Sequence, residues 1–180
     1  QLRGAEACRV HPDLHPDPGR PDRPDPPVLM ALGVAHFRQG HTADAIFWFN
    51  AGRLRAMYDA VRCTDVSARS AVNALVYGMP RELIQAQFHD VARFRATAAK
   101  VIQWDESTPQ NYEYCWINFH GMGVINRALG NAMGTAGPLT VLQDQWSSLA
   151  KQTRESFRSG VDKAIEQYQQ YKSGGTPAKH

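Results

Sequence analysis

The chain has 180 residues and a formal net charge of +3, from 20 Lys+Arg against 17 Asp+Glu. Hydrophobic residues make up 43% and charged residues 21%, an ordinary globular composition. The charge excess is too small and too dispersed for a nucleic-acid footprint, and the longest apolar run, Val28 to Ala35, falls well short of a membrane-spanning helix. Three cysteines with no CxxC pair exclude a zinc ribbon, a thioredoxin motif and a disulfide miniprotein.

Seven of the eleven prolines stand between Pro12 and Pro27, in HPDLHPDPGRPDRPDPP. Proline fixes φ and removes a backbone donor, and the interleaved Asp and Arg leave little to bury. Residues 1–27 are therefore expected to form a disordered Pro-rich leader, 28–172 an all-α domain, and 173–180 a flexible tail. The first residue is Gln1, which fits removal of a targeting segment and an extracytoplasmic location, with the leader as a tether. Cys8 is a poor match to a lipid-attachment site, because Glu6 stands where a small residue is wanted. His11, His15, Asp13 and Asp17 offer at most weak metal binding.

Periodicity predicts helices over Val28 to Gln39, ended by Gly40, and over Ala43 to Arg62 with Thr42 as N-cap. A third is expected over Ala68 to Tyr77, and a fourth opens at Pro80 and runs to Gln103. A loop follows over Trp104 to Pro109, then short helices around Tyr112 to Asn118 and Val124 to Met133. A last helix spans Leu139 to Lys172, with Gly160 as a possible kink. The fold class that follows is an all-α single-domain helical bundle of six to seven helices.

The second helix is apolar round most of its circumference, so it is expected at the centre. Arg53 lies in one apolar stripe, between Phe49, Met57 and Ala60. Because a guanidinium stays charged, Arg53 is predicted to be an internal hub, paired with Asp90 or Asp105, or else to snorkel to water. The narrow polar face carries Trp48, Arg55, Asp59 and Arg62 beside Gly52, and is a candidate partner-binding surface. The competing expectation packs Trp48 on a neighbouring helix and leaves Arg55 and Asp59 as an i,i+4 pair. A second candidate surface is WDESTPQNYEYCWINFHG, which presents Asp105, Glu106 and Glu113 to a basic partner. Cys63 and Cys115 are either a disulfide or two buried thiols.

The segment ALGVAHFRQGHTADAIFWFNAGRLRA resembles a single tetratricopeptide or Sel1-type helix hairpin: Leu32-Gly33 permit close packing, Gly40 marks the turn, and Ala45, Phe49 and Gly52 take small-large-small positions. No further copy follows, so no solenoid is expected. AIFWFNAGRLRA, RCTD, NALVYGMP and VIQWDESTP, in this order, are similar to small exported helical bacterial proteins regarded as immunity proteins against antibacterial effectors. That resemblance implies a periplasmic, non-catalytic binder of a cognate secreted toxin, and the long leader would suit proteins serving a type IV or type VI secretion system.

Enzyme chemistry has weaker support. Cys115 or Cys63 with His120 or His89 would form a nucleophile–base dyad only if folding brought them together. No GxSxG, HExxH, P-loop or dinucleotide fingerprint is present. The histidines are scattered, with His36 and His41 across a turn, so neither a metal nor a cofactor is expected. The alternatives to an immunity factor are a helical small-ligand-binding protein, with a pocket lined by Trp104, Tyr114 and Trp116, and a cysteine-dependent hydrolase.

Overall fold

The structure, a computed structural model, describes residues 24–110, 112, 114–122, 126, 129, 138 and 140–174. The expected leader over residues 1–27, apart from 24–27, the helix over Val124 to Met133 and the end of the tail lie wholly or mainly outside the described residues. Among the described residues the chain is all-α, with six α-helices, short 3-10 turns and no strand. The helices are α1 (Pro26–Arg38), α2 (Thr42–Arg62), α3 (Ser70–Tyr77), α4 (Arg81–Ala86), α5 (Val91–Ser107) and α6 (Trp146–Lys172). The 3-10 turns are Val66–Arg69, Tyr114–His120 and Gln143–Gln145.

Helix α1 starts inside the Pro-rich stretch. The Asp25 carboxylate accepts from Val28 N at 3.0 Å, and Pro26 and Pro27 occupy the first turn. Prolines there sacrifice no helical hydrogen bond, so they can begin a helix although they could not sit within one. Helix α2 begins at Thr42, and its N-cap is His41 without a side-chain cap bond, rather than Thr42.

The predicted fourth helix is two helices. It breaks at Phe88-His89-Asp90, where Asp90 accepts from Arg93 N at 2.9 Å and caps α5. An Asp N-cap stabilises a new helix start by about 1 kcal/mol, enough to tip a stretch that periodicity alone would have run through. Phe88 packs edge-on to Phe94 and stacks on Tyr168, with centroids 5.5 and 5.0 Å apart. Two expectations at the other end also change. The segment over Trp104 to Ser107 is the last turn of α5 rather than loop, and α6 passes Gly160 as one uninterrupted helix.

The core lies where α2 is enclosed. Leu29, Met30 and Gly33 of α1 cover one side, and Phe94, Ala98, Val101 and Ile102 of α5 with Phe157, Val161 and Ile165 of α6 cover another. Contact between α1 and α2 is unusually close. A β-carbon at Gly33 would stand 2.8 Å from Phe49 N, and one at Gly52 would stand 2.7 Å from Pro26 O. The glycine notch expected beside Trp48 is thus filled by the first turn of α1.

The C-terminal end of α2 is held by the chain that precedes α6. Val141 N donates to Arg62 O at 2.9 Å, Thr64 Oγ1 to Pro138 O at 2.7 Å, and Cys63 and Thr140 form an isolated bridge.

Candidate functional site

The most unusual feature of the interior is a set of charged side chains on α2. Arg55, Asp59 and Arg62 are only 3%, 1% and 2% exposed, and Asp105 of α5 is 4% exposed. The polar face expected to meet a partner is turned inward. Ions taken from water cost several kcal/mol unless they are paired and hydrogen-bonded, so the burial is tolerable because each charge has an opposite partner, although Arg62 Nε makes no hydrogen bond.

Two linked centres do this. In the first, Asp105 accepts from Arg55 Nε at 3.2 Å, from Gln110 Nε2 at 3.1 Å and from Arg154 Nε of α6 at 2.8 Å. Arg55 also donates through Nη2 to Thr108 O at 3.1 Å, and its guanidinium lies 4.2 Å from the centroid of Trp104 and 5.5 Å from that of Tyr112. In the second, Asp59 is paired with Arg62 and accepts from Tyr112 OH at 3.0 Å and from Trp116 Nε1 at 2.7 Å. The Arg62 guanidinium is surrounded by the rings of Tyr58, Tyr114 and Trp146 at 4.2, 4.6 and 4.6 Å. Cation–π contacts of this kind strengthen when water is excluded.

These contacts correct four expectations. Arg55, Asp59, Arg62 and Asp105 are internal, so they are not available as a docking surface in this chain. Trp104, Tyr114 and Trp116 do cluster, but the groups they hold are Arg55, Arg62 and Asp59 of the same chain, not a ligand. The hub is not Arg53. That residue is half-buried, makes no ion pair or hydrogen bond among the described residues, and lies over Phe157 with its guanidinium 6.0 Å from the ring centroid. Asp90, the other proposed partner, is an exposed helix cap. Burial lowers the Arg53 pKa, but the side chain reaches the edge of the core. Arg53→Leu is therefore expected to shift the melting temperature by no more than a few degrees, checked by thermal unfolding against wild type.

Other predicted positions are more dispersed. Trp48 is half-buried, edge-on to Phe47 and Trp104 at 5.1 and 5.7 Å. Glu106 is exposed, whereas Glu113 lies outside the described residues. Cys63 is a buried free thiol whose Sγ donates to Asn118 Oδ1 at 2.7 Å, the second of the two alternatives for it. The side chain of Cys115 lies outside the described residues. Burial pushes the Cys63 thiol above its usual value, opposite to what activates a nucleophile.

Sequence reasoning missed Arg154, Tyr58, Tyr112 and Trp146 as members of the cluster. A signal for Arg154 was present, because it stands three residues before Phe157, at the border of the apolar stripe of α6. The aromatics carried none, since tyrosine and tryptophan suit a core or a guanidinium cage equally well.

The Asp59 carboxyl titrates unusually. Burial pushes it up from 3.8 to about 6, against the lowering effects of Arg62, Trp116 and Tyr112. Burial first, and Asp59 next, raise the Tyr112 hydroxyl well above its usual range, so it remains a donor. A carboxyl whose pKa is raised by folding favours the fold most when protonated. Its contribution is full below about 4, is worth about 3 kcal/mol, and is lost as pH rises through about 6. Wild type is thus expected to lose roughly half of this, relative to Asp59→Asn, between about pH 5 and pH 7.5 in urea unfolding. A difference between the two proteins that stays constant across that range would contradict the assignment.

One cleft of ≈ 220 Å³ opens between the start of α2, the α4–α5 turn and the start of α5, lined by Ile46, Gln87, Asp90, Arg93 and Phe94 among others. It is smaller than usual small-molecule sites, which run from about 300 to 1,000 Å³. No helix among the described residues is long and apolar enough to cross a membrane. In comparisons with known proteins no family model, curated protein or solved structure matches this chain.

Proposed function

We propose that this chain is a non-catalytic protein-binding module that neutralises a secreted antibacterial effector in the periplasm. The observation that carries the reading is the inward pairing of α2. Arg55, Asp59, Arg62 and Asp105, which could otherwise serve proton transfer or anion binding, are bonded to one another and shielded by aromatic rings. Such a cluster supports a rigid body, and a rigid body recognises a partner without paying to order itself. The ordered resemblance of AIFWFNAGRLRA, RCTD, NALVYGMP and VIQWDESTP to exported immunity proteins is the support for an effector as partner and for the periplasm as compartment.

With the polar face of α2 buried, the part of the original candidate surface still open to a partner is the α2–α5 junction. There half-buried Trp48 meets Trp104, and exposed Glu106 follows two residues further along α5. An aromatic anchor with an acidic neighbour suits a basic partner. The test is protection of cells carrying the chain in the periplasm against the secreted product of the neighbouring gene, with complex formation read on a sizing column. Protection that survives Cys115→Ala and His120→Ala, but fails with Trp48→Ala or Glu106→Lys, supports the proposal. Absence of both protection and complex would end it.

A further inference from the structure

We propose that the α1–α2 turn is a binding site for a divalent transition-metal cation of the zinc(II) type, held by His36, His41 and Asp44. His36 is in the last turn of α1, His41 is the N-cap of α2 and Asp44 lies in its first turn. The turn fixes their spacing. Gly40 adopts φ +80°, a conformation that suits glycine, and His36 O accepts both Gln39 N at 3.1 Å and His41 N at 3.0 Å. As a result the two imidazoles lie 5.9 Å apart between centroids, and one ligand atom from each of the three side chains falls within 4.8 Å of the others.

Tetrahedral zinc with bonds near 2.0–2.1 Å places its ligand atoms about 3.4 Å apart. The gap is small, and His41 and Asp44 are exposed, so side-chain rotation alone closes it. None of the three side chains is used in a hydrogen bond or ion pair among the described residues. His36 Nδ1 is moreover buried without a partner, which is costly for a polar atom and leaves the imidazole free of competing bonds. Two imidazole nitrogens and one carboxylate suit zinc, nickel or copper, not the all-oxygen preference of calcium or magnesium. A cation beside a helix N-terminus meets an unfavourable dipole, which the Asp44 carboxylate offsets. The three protein ligands leave one coordination position to water or to a group from a partner, and the bound ion would staple α1 to α2.

The full chain titrated with zinc chloride in a calorimeter is expected to take up one equivalent at this turn, with a higher melting temperature in the loaded protein. His41→Ala and Asp44→Asn change exposed residues and should leave the helical circular dichroism intact, while each weakens binding about tenfold or more. The His11→Ala/His15→Ala double variant should bind as wild type does. Cobalt(II) should give the visible absorption of a low-symmetry site in wild type and not in His41→Ala. An unchanged titration in His41→Ala, loss of binding in the leader variant, or no uptake by wild type would each overturn the proposal.

Discussion

Asp105→Ala is expected to destabilise the fold by about 3–5 kcal/mol. The carboxylate is the acceptor for both Arg55 and Arg154, and Arg55 is 3% exposed, so its removal strands a buried guanidinium that cannot shed its proton. In a protein of this size that corresponds to a fall in melting temperature of roughly 10 °C or more. The exposed pair Arg95–Asp162 provides the comparison. Its 2.8 Å contact is shorter than Arg55–Asp105 and as short as Arg154–Asp105, but its side chains are 57% and 41% exposed. Asp162→Ala should cost less than about 1 kcal/mol, because water screens the pair and solvates the partner left behind. A bond as short as those of Asp105 is thus the weaker contributor, since desolvation rather than distance decides the cost. Equal effects of the two substitutions would place Asp105 at the surface.

The second large effect is steric. Alanine is favoured over glycine within a helix by about 1 kcal/mol, so Gly→Ala in a helix normally stabilises. Gly160→Ala should follow that rule, since a β-carbon there meets nothing within 4 Å. Gly33→Ala and Gly52→Ala should reverse it. The added carbon at Gly33 would meet Phe49 N at 2.8 Å and Ala45 O at 2.9 Å. At Gly52 it would meet Pro26 O at 2.7 Å and Met30 N at 2.9 Å. These are backbone atoms, so relief requires α1 to move away from α2. Overpacking costs about 1–3 kcal/mol and outweighs the propensity gain. Chemical denaturation of the three variants should show two losses and one gain. Three gains would mean that α1 and α2 do not approach closely.

Much of the fold was legible in the sequence because apolar spacing and Gly/Pro punctuation act locally. The stripe Phe94, Ala98, Val101 and Ile102 located α5, and Gly33, Gly40 and Gly52 described the first hairpin correctly. What failed depended on partners distant in the chain. The wheel of α2 placed Arg53 inside and Arg55 outside, about 200° apart at 100° per residue. It treated polar residues as a surface, although a polar face can be internal when other elements bring it partners. Those partners are the acceptor Asp105 of α5, itself bonded by the donor Arg154 of α6, and the donor Tyr112, with 49 to 53 residues between the members of each pair. A clue lay in α5 itself: Asp105 falls in phase with Phe94, Ala98 and Val101, so an acid on the core stripe already required a cation. Of the two carboxylates offered, Asp105 is the buried acceptor and Asp90 is not, and Asp105 pairs with Arg55 rather than Arg53. The division between α4 and α5 was missed for a different reason, because an N-cap at Asp90 is a single residue set against a continuous apolar period.

The same arrangement explains why, from Phe49 onward, α2 is incompletely buried only along Arg53, Met57 and Val61, an edge that looks greasier than the buried face. Paired and ring-stacked charges can displace aliphatic groups from the interior when several elements contribute donors together. Loss of any one member then affects helices that do not touch it, because α2, α5, α6 and the Tyr112 segment share the two carboxylates.

The claim on which this picture rests is that the polar face of α2 is enclosed, and the coupling between Arg55 and Asp105 tests it most directly. A double-mutant cycle with Arg55→Met, Asp105→Leu and both together, read by urea unfolding, should give a coupling of about 2 kcal/mol or more, with the double variant more stable than the sum of the singles predicts. A coupling below about 0.5 kcal/mol, the value for solvated pairs, would show that this face is open to water and contradict the account.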